Sequence, residues 1–514
     1  MQGPCKTENG RKQRRGFLQM KMIYGVKDRP PVGRLILFAL QQLLAILAAT
    51  IAVPMVVGNG MSPSAALFGA GVGTIVYLLF TKFKSPVFLG SSFAFLGSMA
   101  AAFAGGVSAS LGYLGLLLGA LFAGLIYVII AVVVKFAGVK WIDKIMPAVV
   151  IGPTVAIIGL SLAGNAIGDL MKGNVSVEVT EYFIEMVEGV PTIAEKTASQ
   201  MLCSPYIALL CGLTTLIVTV VCSVYGKKLM KMIPFIIGIL AGYVLAAAFT
   251  GIGYAAKCDA LKVIDFSQFK HMQWYPDFAF LKAFKGGYSA GDAGSVGAYI
   301  GTIAVAYIPV AFVVFAEHIA DHKNISSIIE SDLLKDPGLS RTLLGDGIGS
   351  VAGAFFGGCP NTTYGESVGC VAISGNASVI TILVTAGLAI VSSFIAPFVT
   401  FLATIPSCVM GGVCIALYGF IAVSGLKMIQ PVDLGENKNL FVVSVILIAG
   451  VGGMCINIGS VTVTEVACAL ILGIIVNLIV NITGRKKNKD KQLDIDDLQA
   501  QNAVENKESD NEKL

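Results

Sequence analysis

The sequence predicts an all-α polytopic membrane protein with fourteen transmembrane segments, arranged as two inverted sets of seven. Three observations predict it. The composition is apolar and poor in charge, long apolar runs recur from about residue 33 to about residue 483, and the two halves of the chain echo each other. Of 514 residues, 13% are charged and 55% hydrophobic, and the mean hydropathy is +0.80. Soluble domains carry about 25% charged residues, so an ordinary soluble protein is excluded. The 59 glycines suit helices whose backbones approach closely in lipid.

A crossing helix needs about 20 apolar residues. That measure places spans near 33–57, 64–81, 86–104, 110–136, 146–165, 205–224, 232–252, 297–318, 342–358, 359–375, 377–396, 400–425, 439–459 and 463–483. The third and tenth are too short, and too rich in Gly, Ser and Thr, to be plain full-length helices. Residues 1–30 form a basic arm with Lys6, Arg11, Lys12, Arg14, Arg15, Lys21, Lys27 and Arg29, and the tail 484–514 opens with Arg485, Lys486 and Lys487. Positive flanks mark the cytoplasmic side, so both termini are expected inside, as an even span count requires. The arm lacks the cleavage site of a secretory signal, and the charged, apolar-poor tail is expected to be disordered. The acidic segment 166–204 is expected outside, as is 253–296 despite its lysines, and 319–341 inside. The basic runs abut apolar spans, so lipid rather than nucleic acid is the expected partner. No CxxC pair marks a zinc site among the eleven cysteines. Cys203 and Cys258 could face outside and pair, though nothing else supports it.

The echo is specific. Leu67-Phe68-Gly69-Ala70-Gly71-Val72-Gly73-Thr74 resembles Leu343-Leu344-Gly345-Asp346-Gly347-Ile348-Gly349-Ser350, at a shift of 345 − 69 = 276. A small polar segment follows each: Gly90-Ser91-Ser92-Phe93-Ala94-Phe95 and Asn361-Thr362-Thr363-Tyr364-Gly365-Glu366, with 364 − 93 = 271. Seven is odd, so the second copy is upside down relative to the first. Inverted repeats with helices interrupted at matching positions point to a secondary transporter whose site lies where the breaks meet. Chance recurrence of glycine is the alternative, and the paired polar segments weigh against it.

Ionisable groups deep in spans are expensive and are functional candidates by default. Glu317, His318, Asp321 and His322 end the eighth span, and Glu366 lies in the tenth. Glu465 opens the fourteenth, at the interface, where it needs no function. Asp321 lies one turn after Glu317; it either shares a proton with His318 or His322, or faces water. His318 and His322 have metal-binding spacing, but Ile319 stands where zinc proteases need Glu, so no metal is expected. Ser91–Phe95 and Asn361–Tyr364 read as extended. Extended backbone at membrane depth must pair or line a cavity. Two short mid-membrane strands are therefore expected in spans 3 and 10, each feeding a half-helix whose N–H groups point into the cavity. Two carboxylates, backbone donors at Phe93 and Gly365, and an aromatic wall of Phe93 and Tyr364 favour a small, planar, neutral ring with alternating N–H and C=O groups. The plainer alternatives are a structural carboxylate at Glu366, a cytoplasmic-end salt bridge at Glu317 and a packing histidine at His318.

At these residues the sequence resembles the nucleobase–ascorbate, or nucleobase:cation symporter-2, family, over about residues 30 to 480. The likeness is carried by Gln41-Gln42-Leu43-Leu44-Ala45 with Ala49-Thr50 and Pro54, Leu89-Gly90-Ser91-Ser92-Phe93-Ala94-Phe95, Ala316-Glu317-His318, Asp336-Pro337-Gly338-Leu339, Pro360-Asn361-Thr362-Thr363-Tyr364-Gly365-Glu366 and Met410-Gly411-Gly412. The signature has Glu at the position of Glu366 in the family's uracil carriers, and more often Gln or Pro elsewhere. The resemblance thus implies uracil as substrate, with binding by Phe93, Glu317, Tyr364, Gly365 and Glu366. It implies proton coupling through Glu317, His318 and Asp321, with Gln42, Ala49 and Ser92 lining the site. It further implies a core domain (31–136 and 297–396, spans 1–4 and 8–11) and a gate domain (146–252 and 400–483, spans 5–7 and 12–14). The expected location is the cytoplasmic membrane; no cofactor is implied, and a homodimer is compatible. Three departures stand out: Gln42 where the family usually has His, Asp321 where His is common, and Ser367 and Ser374 for the signature's Asn and Thr.

The expected function is uracil import by cation symport, with H+ preferred to Na+, by alternating access. Protonation of Glu317 removes a buried charge whose desolvation is costly. A purine (xanthine or urate) carrier is the nearest alternative. An anion exchanger or channel on the same plan would need a basic residue near Phe93 or Glu366, and the sequence shows none beside them. A membrane-embedded enzyme would need a nucleophile–base pair or metal triad deep in the spans, and none is evident.

Overall fold

The computed structural model describes residues 22–138, 141, 146–187, 190–458 and 461–481. Most of the basic arm and the whole tail 484–514 lie outside the described residues. Local chemistry sets the element ends. Helix α1 (Val32–Val57) stops at Gly58, whose φ of 68° a side chain would strain. Pro63 opens α2 (Pro63–Phe80) at a position where no N–H is needed, and Ser62 Oγ accepts the Ala65 N–H. A strand, β1 (Leu89–Ser91), and a 3-10 turn at Phe93–Phe95 then lead into the short α3 (Leu96–Ala101). Four long helices follow: α4 (Ala109–Ala137), α5 (Ala148–Ser161), α6 (Pro205–Tyr225) and α7 (Pro234–Ala255). A hairpin of β2 (Ser176–Val187) and β3 (Val190–Met201) separates α5 from α6.

The second half runs through α8 (Val296–Ile328), α9 (Leu339–Gly357), β4 (Asn361–Thr363), α10 (Gly365–Ser374), α11 (Val379–Ser392) and α12 (Ser407–Ile429). It ends in α13 (Asn437–Val451), a hairpin of β5 (Ile456–Ile458) with β6 (Val461–Val463), and α14 (Glu465–Asn481). Among the described residues, eight helices are long and apolar enough to cross a membrane. A ninth is added if α11 and Ala396–Ala403, bent by 84°, count as one span. The chain is mostly helical and multi-pass, as the apolar runs predict.

Helices from the two halves pack on each other through glycine. A Cβ on Gly69 of α2 would overlap the Gly353 carbonyl of α9. Between α5 and α12, a Cβ on Gly152 would meet the Gly425 carbonyl oxygen at 3.0 Å, and one on Gly425 would meet that of Gly152 at 2.5 Å. Such approach needs no driving force from water. It works in lipid because backbones meet without intervening side chains.

The structure departs from the sequence reading in three places. The extended reading of 91–95 holds only to Ser92, because Phe93–Phe95 turns into the half-helix. Helix α8 continues to Ile328, ten residues beyond the expected end at 318, so Glu317 to His322 lie inside a helix rather than at its tip. Hydropathy falls there, but Asp321 and His322 find partners within the protein. The loop 166–204 holds the β2–β3 hairpin, which the reading of this segment by its charge alone did not anticipate. The pairing of Cys203 with Cys258, which the sequence supported weakly, is not made: one is buried and the other exposed.

Candidate substrate-binding site

Strands β1 and β4 pair antiparallel, with Leu89 opposite Thr363, Gly90 opposite Thr362 and Ser91 opposite Asn361, and all six are buried. Three residues cannot satisfy their whole backbone by pairing, so neighbours complete the count. Ser92 N–H donates to Pro360 O at 2.9 Å and Tyr364 N–H to Phe88 O at 3.2 Å. Thr74 Oγ1 accepts the Leu89 N–H at 2.9 Å, and Asn361 Nδ2 donates to Gly69 O at 3.1 Å. The strands are thereby locked to α2, the glycine-faced helix.

Each strand delivers a helix start to one hollow. Phe93 opens the 3-10 turn before α3, and Gly365 and Glu366 form the first turn of α10, where N–H groups are free to donate. Helix α8 adds Glu317 and, one turn on, Asp321. A recess of about 40 Å³ is bordered by Ser92, Phe93, Glu317, Thr363, Tyr364, Gly365 and Glu366. It continues into a cavity of about 340 Å³ that Glu317, Gly365 and Glu366 also line, together with Asp321, Ala45 and Lys231. The five residues expected to hold the ring, and Ser92, therefore border one hollow. None of the three carboxylates is in an ion pair among the described residues. Asp321 Oδ2 accepts from Thr363 Oγ1 at 2.8 Å, which ties α8 to β4.

The aromatic wall divides its work. Phe93 meets Tyr418 edge to face at 5.6 Å. Tyr364 donates its hydroxyl to Ser91 O at 2.8 Å, and its ring covers Gly90, where a Cβ would overlap it. Gly90 is therefore small so that Tyr364 can lie on the strand.

Other expected residues are placed elsewhere. Gln42 and Ala49 are buried in α1 and do not border the hollow. Gln42 Nε2 donates to Ser367 Oγ at 2.5 Å, so two departures from the family pattern bond to each other. Ser367 Oγ also accepts the Phe88 N–H at 3.1 Å. His318 is fully buried and does not line the hollow. Its Nδ1 bonds Asp346 Oδ2 at 2.6 Å, and its Nε2 contacts Thr342 Oγ1 at 3.0 Å. His322 stacks on it with centroids 4.0 Å apart, donates Nδ1–H to His318 O at 2.8 Å, and shares a hydrogen bond with Tyr77 Oη at 2.7 Å.

Two residues escaped the sequence reading. Asp346 is 1% exposed and lies in the middle of α9. An acid at the centre of an apolar span was the signal for it, masked by reading that span only for its glycines. Lys231, from the short helix Lys228–Met232, lines the same cavity as Glu366, so a basic residue does border the hollow that the acids line.

The arrangement offers carboxylate acceptors, helix-start donors and an aromatic face in a hollow within a membrane protein. That set suits binding and passage of a polar ring. A family model described as a permease family, Xan_ur_permease, matches residues 33–459. The chain is 36% identical over 463 residues to the uracil permease of Bacillus caldolyticus, covering 89% of this chain and 95% of that protein. It is 33% identical over 482 residues to the uracil permease of Escherichia coli (strain K12), covering 92% and 97%. The chain belongs to the nucleobase:cation symporter-2 permease family. A permease is a membrane transporter and not an enzyme. The permease shares its fold with the transmembrane domain of the cyanobacterial bicarbonate transporter BicA, with a TM-score of 0.56 at 14% identity over 88% of this chain and 98% of that one. Murine Slc26a9, an anion transporter in the inward-facing state, gives a TM-score of 0.56 at 13% identity over 89% and 69%.

Proposed function

We propose that this permease imports uracil together with a proton, binding the ring in the recess between Phe93, Glu317, Gly365 and Glu366. One observation carries the reading. Two carboxylates on α8 and α10, and the helix-start N–H groups at Phe93 and Gly365, border the same recess in a chain 33–36% identical to uracil permeases. Glu366 accepts a ring N–H, the Phe93 and Gly365 N–H groups donate to ring carbonyls, and the ring face lies on Phe93. Glu317 carries the coupling proton, with Asp321 one turn below it. His318 bonds Asp346 behind the site and acts at most through that pair.

The fourteen-span plan, the inverted sevens, the core and gate domains and the cytoplasmic termini belong to the same proposal. On that plan β1 and β4 meet at mid-membrane, and the core carries Glu317 and Glu366 past the gate. The wide cavity holds Lys231, which follows Lys227 and Lys228 in a basic segment, so it opens to the cytosol. On the other side of Phe93 the space shrinks to a crevice of about 10 Å³. The conformation is then inward-open, and rocking of the core against the gate reverses it.

Competition of radiolabelled uracil uptake tests the substrate. 5-Fluorouracil should compete and xanthine should not. Glu366→Gln should weaken uracil binding about tenfold or more, the usual worth of a charge-assisted hydrogen bond. Inhibition by xanthine with none by 5-fluorouracil contradicts the proposal.

A further inference from the structure

We propose that residues 23–28, which run in from the basic arm, are a positioning clamp for α10, the half-helix whose first turn carries Gly365 and Glu366. A ten-residue helix is too short to stand on its own hydrogen bonds, so its two ends must be held from outside. The β1–β4 pair fixes the first turn. The clamp fixes the last.

Local chemistry builds the contact. Gly375 closes α10 in the left-handed conformation, with φ of 69°, and its N–H donates to Val371 O at 3.0 Å. The Gly375 carbonyl lies past the end of the helix ladder and needs donors from elsewhere. The arm supplies two, Ile23 N–H at 2.7 Å and Tyr24 N–H at 3.2 Å. The exchange then runs the other way. Ala377 N–H donates to Tyr24 O at 2.9 Å, and Val379 N–H to Val26 O at 3.2 Å. Tyr24 and Asn376 form a parallel bridge. Ser378 is fully buried and donates its hydroxyl to Asp28 O at 2.6 Å. The arm thus follows the whole link from α10 into α11.

The arm is itself anchored. Asp28 Oδ2 accepts the Gly25 N–H at 2.7 Å, and the Asp28 N–H returns to Gly25 O at 3.1 Å. Tyr24 meets Phe38 of α1 edge to face at 6.1 Å, and its hydroxyl accepts from Arg34 Nη1 at 3.1 Å. The far end of α10 is therefore tied to α1. Glu366 lies eight residues before Ser374 (374 − 366 = 8), about 12 Å along the helix axis. A helix carries motion over that distance as a rigid element, so freedom at Gly375 becomes displacement at Gly365 and Glu366. Binding groups must be held to about 0.5 Å to work together. That consequence for the ring rests on the uracil reading; the clamp itself does not.

The test is hydrogen–deuterium exchange on the purified full chain in detergent without uracil, followed by uracil binding to the same samples. Ile23→Pro removes a donor at a half-exposed position, Ile23→Ala keeps it, and Ser378→Ala removes the hydroxyl given to Asp28. Ile23→Pro and Ser378→Ala should speed exchange along α10, its first turn included, and leave α9 at the wild-type rate. A general loss of packing would speed both helices. Uracil affinity should fall about fivefold or more in these two variants, the lower range of coupling between sites, and stay at the wild-type value in Ile23→Ala. If Ile23→Pro does not fold, Ser378→Ala decides. The inference is overturned if α10 exchanges at the wild-type rate in the clamp variants, if α9 speeds equally, or if faster exchange in α10 leaves uracil affinity unchanged. Wild type that binds no uracil removes the uracil reading, and faster exchange confined to α10 then upholds the clamp. Uracil binding by wild type with unchanged exchange in the variants does the reverse.

Discussion

Gly73 and Gly349 face each other reciprocally: a Cβ on Gly73 would lie 2.7 Å from the Gly349 carbonyl oxygen, and a Cβ on Gly349 would lie 2.7 Å from that of Gly73. Their separation, 349 − 73 = 276, is the shift of the sequence echo. Each echoing helix thus packs on its own counterpart, and the contact has the two-fold character that an inverted repeat requires. The neighbouring contacts agree, since Gly69 meets Gly353 O as Gly345 meets Tyr77 O, and 353 − 77 is also 276. Gly73→Ala and Gly349→Ala should each lower stability by about 1–3 kcal/mol through overpacking. The double variant should cost less than the sum, since one separation of α2 and α9 relieves both clashes. Thermal unfolding in detergent measures this. Equal additivity would speak against a shared contact.

The Gln42–Ser367 bond joins α1 to the half-helix that carries Glu366. Gln42→Ala and Ser367→Ala should each destabilise by about 1 kcal/mol, with a coupling of similar size in the double-mutant cycle. A cycle with no coupling would mean that the two residues act independently.

Asp346 and His318 form a buried pair with no water-exposed surface to absorb its loss. Removing one member leaves the other's buried polar group unpaired, so Asp346→Ala should destabilise by about 1–3 kcal/mol. Asp346→Asn, which keeps a hydrogen-bonding partner for His318, should cost less. Unfolding midpoints that rank the two variants in the opposite order would contradict this account of the pair.

Much of this fold was legible because lipid imposes simple rules. Length and hydropathy locate the long helices, and the matched breaks at Ser91 and Asn361 locate the centre. Glu317, Glu366, Phe93, Tyr364 and Gly365 were legible as a group, since acids and extended backbone in apolar spans demand a hollow. What stayed hidden depends on tertiary partners. The end of α8 at Ile328 was unreadable because Thr363 and Tyr77 satisfy polar groups that hydropathy counts as breaks. The Gln42–Ser367 bond spans 325 residues, and no local pattern announces it. Lys231 reads as a membrane-flanking charge in sequence, and only the packing of its short helix brings it to the cavity that the acids line.

The central claim is that Glu317 carries the proton that drives uracil inward. Proteoliposomes with an acidic outside and radiolabelled uracil test it most directly, comparing wild type with Glu317→Gln. The account predicts accumulation above equilibrium by wild type and, for the variant, exchange or equilibration without accumulation. Full proton-driven accumulation by Glu317→Gln would contradict it.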